Sequence, residues 1–205
     1  MSIEAWLAFT SATLVLLVIP GPTILLVVSY ALGQGWKTAL PMAIGVALGD
    51  FTAMTLSLFG VGALLKASAT VFMALKWIGA AYLIYLGFKL FRAGGTLDVK
   101  PIAEKSSVGK MIAHSWLVTA LNPKGITFFV AFVPQFVNTA APFVPQAVIF
   151  EITFICLAFA NALGYAFVAS RARALVSNPT AIKVLNRVGG TLLMGAGVAV
   201  VATRS

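Results

Sequence analysis

Charge is what this sequence has least of. Only 9% of its 205 residues are Asp, Glu, Lys or Arg, where a soluble domain carries about 25%. So few charges do not cover a water-exposed globule. A single cysteine, Cys156, excludes an internal disulfide and any paired-thiol redox centre. With it goes a thiol–disulfide electron carrier. There is no glycine-rich phosphate loop, so direct use of ATP is not expected. No His-Glu-x-x-His motif or Cys/His cluster is present either, so neither a metal nor another cofactor is expected. One His and five acids in all leave little material for a cation-binding site.

What the chain does have is apolar length. Hydrophobic residues make up 60% of it. No charge falls between Glu4 and Lys37, nor between Glu151 and Arg171. A helix needs about 20 apolar residues to cross a bilayer. Apolar runs set against breakers predict six spans, near 5–30, 39–64, 71–91, 112–134, 146–169 and 185–203. The expected class is an all-α membrane protein whose partner is the lipid bilayer.

The formal net charge of +9 does not indicate a nucleic-acid partner, because the basic residues sit between apolar spans. Lys and Arg mark the cytoplasmic side of such loops. Loops one, three and five with their flanks hold Lys37, Lys89, Arg92, Lys100, Lys105, Lys110, Arg171, Arg173, Lys183 and Arg187. The opposite side holds Lys66, Lys76 and Arg204, and Lys124 lies within a span. The imbalance puts the odd loops in the cytoplasm and both termini outside.

The two halves resemble each other. Leu75, Gly79, Leu83 and Gly87 match Leu185, Gly189, Leu193 and Gly197 at a constant shift. Pro20-Gly21-Pro22 in span one has a counterpart in Asn122-Pro123-Lys124-Gly125 in span four. Three spans per repeat is an odd number, so the second repeat is inverted, a recurring plan of secondary transporters. Residues 1–93 form the first repeat, 94–110 a cytoplasmic linker beginning at Gly94-Gly95, and 111–205 the second repeat. Proline removes a backbone donor and clashes with the preceding turn, so spans one and four are expected to break at these motifs. Broken backbone at membrane depth is tolerated where it lines a cavity or is buried in protein. The half-helices after Pro22 and Pro123 then aim partial positive charge inward, which suits a carboxylate.

Asp50 sits mid-way along span two, where a carboxylate is costly and marks function. It is expected to bind an ammonium group, carry a coupling proton, or pair with Lys124. Asn161 in span five is a candidate lining residue or an interhelical hydrogen bond. Glu151 lies about two turns into span five, lining an exit path or facing water. His114 is read as interfacial, Cys156 as inert packing, and Phe128, Phe129, Phe132 and Phe136 as packing or lipid-facing. The glycines of spans three and six permit close helix contact, and a homodimer, without requiring one.

These motifs together resemble the LysE/RhtB superfamily of bacterial amino-acid exporters. They are Pro20-Gly21-Pro22, Gly45 with Gly49-Asp50, the stretch from Lys76-Trp77-Ile78-Gly79 to Gly87, Asn122-Pro123-Lys124-Gly125, and Phe132-Val133-Pro134-Gln135-Phe136. The resemblance covers the whole chain in length, order and span count. It implies proton-driven efflux of amino acids or close derivatives across the bacterial inner membrane, with both proline motifs and Asp50 at the translocation site. The site so read comprises Pro20, Gly21, Pro22, Thr23, Asp50, Asn122, Pro123, Lys124 and Asn161. Thr23 departs from the family, which often has Asn or Asp after the first proline motif. Two other readings compete. An exporter of a cation or drug would keep the fold. An intramembrane enzyme, suggested by Gly49-Asp50, lacks the second mid-membrane carboxylate that an aspartyl protease needs.

Overall fold

In a computed structural model, residues 1–92, 94, 99–171 and 179–202 are described. Arg173, Arg204 and Gly95, used in the sequence reading above, lie outside them. The described chain is all-helical. Its order is α1 (Ile3–Val18), α2 (Pro22–Gln34), a 3₁₀ turn (Trp36–Thr38), α3 (Ala39–Ala67), α4 (Ala69–Arg92), α5 (Val108–Ala120), α6 (Pro123–Ala131), a second 3₁₀ turn (Val133–Gln135), α7 (Phe143–Arg171) and α8 (Pro179–Ala202).

Local chemistry sets these boundaries. The Ser2 hydroxyl caps α1 by accepting from the Ala5 N–H at 3.2 Å. The helix stops at Val18 because Pro20 has no N–H to continue it. A new helix starts at once, with Gly21 as its N-cap and Pro22 as its first residue. The α1–α2 pair is bent by 52°. The second half repeats this device. Asn122 caps α6, its side-chain oxygen accepting from the Lys124 N–H at 3.1 Å, and Pro123 opens the helix. The α5–α6 pair, with its 3₁₀ turn, is bent by 47°. Both breaks fall where the proline motifs place them. Helix α2 ends at Gly35, whose φ of 80° needs no side chain.

Among the described residues, α3 with its leading turn and α7 are long and apolar enough to cross a membrane. That makes two spans, or four if each bent pair counts as one, where the sequence predicts six. Helices α4 and α8 have 24 residues each, roughly 36 Å at the α-helical rise of 1.5 Å. Among the described residues, the halves share one element order: a broken pair, a helix of 29 residues, and a helix of 24 residues.

The interior is aromatic where α1, α6 and α7 meet. Phe9, Phe128, Phe129, Phe132, Phe150 and Phe154 are buried, with ring centroids from 4.6 to 6.4 Å apart. Of the two roles open to Phe128, Phe129 and Phe132, packing is the observed one. Phe136 joins the same cluster edge-on to Phe9 and Phe132.

Small residues govern the helix pairs. A Cβ on Gly45 would run into the Ser115 hydroxyl and Ile112 carbonyl of α5, and one on Gly49 into Thr119 and Trp116. Close contact of α3 with α5 therefore depends on the glycines that precede Asp50. Gly45→Val is expected to destabilise by about 1–3 kcal/mol through overpacking. Gly60→Ala, which meets nothing within 4 Å inside α3, should raise stability by about 0.5–1 kcal/mol, since alanine favours the helix. Thermal unfolding in detergent checks both.

Candidate translocation site

Breaking α1 at Pro20 strands the last four carbonyls of that helix, which have no N–H four residues on. Leu16 keeps one backbone partner, the Ile19 N–H at 3.3 Å, and side chains of the second half reach the carbonyls from Leu16 to Ile19. Lys124 Nζ donates to the Leu16 carbonyl at 2.7 Å and to the Ile19 carbonyl at 2.6 Å. Asn161 Nδ2 donates to the Leu17 carbonyl at 3.0 Å, and the Tyr165 hydroxyl to the Val18 carbonyl at 2.5 Å. A cation at a helix C-terminus also meets the negative end of the helix dipole. Gly21 makes room for it, since a Cβ there would lie 3.2 Å from Lys124 Cδ.

The N-terminal ends of α2 and α6 are joined to each other. Asn122 Nδ2 donates to the Thr23 hydroxyl at 3.0 Å, and the Thr119 hydroxyl lies 3.2 Å from the same oxygen. Thr23 and Asn122 are both buried. Thr23, the residue that departs from the family pattern, thus ties one proline break to the other.

Asp50 projects from α3 into the space between the breaks. It is 6% exposed, and no described residue hydrogen-bonds or ion-pairs with its carboxylate. The pairing with Lys124 left open by the sequence is not the observed arrangement. The ammonium caps α1 instead, because two stranded carbonyls lie within its reach. Both charges nevertheless line one cavity, together with Gly21, Thr23, Asn122 and Asn161. Pro20, Pro22 and Pro123 do not line it and act by breaking the helices around it. The cavity measures about 40 Å³. That admits only a few waters, at roughly 10–15 Å³ each.

The remaining polar candidates lie elsewhere. His114 Nδ1 is 3.1 Å from the hydroxyl of buried Tyr30. Glu151 accepts a hydrogen bond from the Thr55 hydroxyl. Cys156 is exposed on α7. No group of metal-ligating residues occurs among the described residues. Tyr165 is the site residue that sequence reading missed. The available signal was its position four residues after Asn161, on the same face of one helix.

Comparison with known proteins identifies the family. The LysE type translocator family matches residues 14–204. The chain belongs to that family. Membership makes it a transporter and not an enzyme. Among its relatives, the homoserine/homoserine lactone efflux protein of Salmonella typhimurium is 32% identical over 204 residues, covering 100% of this chain and 99% of the relative. An uncharacterized membrane protein of Vibrio cholerae is 30% identical over 197 residues, 96% of each chain. The leucine efflux protein of Salmonella typhimurium is 36% identical over 140 residues, 67% of this chain and 65% of the relative. No solved structure matches.

Proposed function

We propose that this LysE type translocator is a proton-coupled secondary exporter of amino acids or close derivatives across the bacterial inner membrane. Relatives named for homoserine, homoserine lactone and leucine efflux point to small neutral amino compounds as cargo. The observation that carries the reading is the central cavity. A carboxylate from the first half and an ammonium from the second line it, between two broken helices. A zwitterion offers the complementary pair of charges.

The proposed architecture is six spans in two inverted repeats, 1–93 and 111–205, joined by a cytoplasmic linker over 94–110, with both termini outside. Support comes from the shared element order and from a reciprocal contact between α4 and α8. A Cβ on Gly87 would lie 2.6 Å from the Gly190 carbonyl. Adding 110 to Gly87 and subtracting it from Gly190 gives Gly197 and Ala80. A Cβ on Gly197 would lie 2.9 Å from that Ala80 carbonyl.

Substrate enters from the cytoplasm between the halves. Its ammonium group meets Asp50, which has no competing hydrogen bond from a described residue. Its carboxylate meets Lys124 and the N–H groups at the starts of α2 and α6. Drawing Lys124 toward the carboxylate removes two caps from α1 and loosens the hinge at Pro20. The 40 Å³ cavity then enlarges toward one face at a time. A proton from outside neutralises Asp50, releases the ammonium group and resets the carrier.

Cells overproducing the chain, loaded with dipeptides that liberate amino acids inside, test this. Faster efflux of one or a few amino acids is expected. Unchanged efflux of all of them, with the protein present in the membrane, would overturn the reading.

A further inference from the structure

A second, larger cavity lies between the Ala67 end of α3 and the start of α7. It measures about 530 Å³ and is lined by Thr55, Leu58, Phe59, Lys66, Phe143 and Glu151, among others. Its floor lies close to the central site. On α3, Thr55 is five residues beyond Asp50, roughly 7.5 Å along the axis at 1.5 Å per residue. On α7, Glu151 lies one turn before Phe154, and Phe154 lines the central cavity. Buried Phe154 and buried Met54 stand at the level between the two spaces.

Glu151 sits on that floor, held by the Thr55 hydroxyl, and no ion pair with a described residue neutralises it. A carboxylate among apolar side chains in a membrane protein is costly without a cation. Lys66 lines the same cavity. It is eleven residues beyond Thr55 on α3, roughly 16 Å along the axis, too far to pair with Glu151 and placed at the mouth.

We propose that this cavity is a second station on the export path, where Glu151 receives the primary ammonium group of an amino acid that has left Asp50. The proposal rests on the exporter reading above. Leu58, Phe59 and Phe143 take an aliphatic side chain, and Lys66 at the mouth draws the carboxylate outward. The cargo class is a free α-amino compound with a small or aliphatic side chain. A compound lacking the ammonium group has nothing to meet at Glu151.

The test uses the full chain in proteoliposomes loaded with radiolabelled L-leucine or L-homoserine. A charge-assisted hydrogen bond contributes about 1.5–3 kcal/mol, so Glu151→Gln is expected to slow efflux by roughly tenfold or more. In a Cys156→Ser background, Val148→Cys in the cavity wall is labelled from outside with a membrane-impermeant maleimide. External L-leucine is expected to slow that labelling when Glu151 is present. This second readout probes the native carboxylate, so it decides the matter even if Glu151→Gln is unstable. Wild-type efflux from Glu151→Gln, or labelling indifferent to L-leucine, overturns the station while leaving the exporter reading intact. Labelling only by a lipid-soluble maleimide means that acyl chains fill the cavity, and also overturns it. Wild-type vesicles that release neither amino acid overturn the exporter reading and the station with it.

Discussion

Asp50→Asn is expected to reduce amino-acid export by about tenfold to a hundredfold while the protein remains folded in the membrane. The substitution preserves shape and removes one negative charge. That charge has no hydrogen bond or ion pair from a described residue, and it attracts Lys124 only across the shared cavity. Removing a carboxylate from membrane depth relieves a desolvation cost. Thermal stability in detergent should therefore match or exceed that of the wild type. What is lost is the partner for the substrate ammonium, a charge-assisted contact of about 1.5–3 kcal/mol. Export undiminished in Asp50→Asn, at equal protein level, would remove Asp50 from the mechanism.

Lys124→Met is expected to fail differently, losing both export and stability. The ammonium bonds two carbonyls at the end of α1, those of Leu16 and the cap residue Ile19. The Leu16 carbonyl keeps the Ile19 N–H, so the Ile19 carbonyl is the one left unpaired, a loss of about 1–3 kcal/mol. Tyr165→Phe strands one carbonyl and touches no proposed substrate group. It should destabilise by about 1 kcal/mol and retain export. The double variant Asp50→Asn with Lys124→Met measures the coupling between the two charges. If they act on one zwitterion, the second change should add little to the export loss of the first. Additive losses would mean separate roles. Thermal unfolding and efflux, measured on the same preparations, separate the two effects.

The parts of this molecule legible in its sequence are those set by local chemistry. Pro20, Pro22 and Pro123 break helices because of their own ring and missing N–H, so both bends fall where the residues predict them. Asp50 stands out because a lone acid in an apolar run is costly wherever the run folds. The partners of Lys124 were not legible. Its two acceptors lie more than 100 residues away in the chain, and backbone carbonyls carry no signature in a sequence. The ion pair with Asp50 was the simplest reading for two opposite charges. A stranded helix end attracts a cation just as well.

Tyr165 was hidden for a related reason. A tyrosine in an apolar run reads as packing or as an interface anchor, and only the position of the α1 terminus turns it into a cap. The connection between halves is marked in the sequence by Gly94-Gly95, and its specific hold on α2 is not. Gln34 donates to the Ile102 carbonyl at 3.2 Å and the Glu104 carbonyl at 2.6 Å, and accepts from the Ser106 N–H at 3.2 Å. Ile102 also bonds the Ser29 carbonyl at 3.0 Å. One polar side chain near a helix end is too common a pattern to announce that it clasps a distant segment.

Amino-acid export is tested most directly by reconstituting the purified chain into vesicles loaded with L-leucine or L-homoserine and a pH-sensitive dye. The outside is made acidic and both amino-acid release and internal pH are followed. The expected result is release that is faster than from protein-free vesicles, with internal acidification that appears only when a transported amino acid is inside. Asp50→Asn should lose both signals together. Vesicles that hold their amino acids as protein-free vesicles do, at any pH gradient, would contradict the assignment of this chain as an amino-acid exporter.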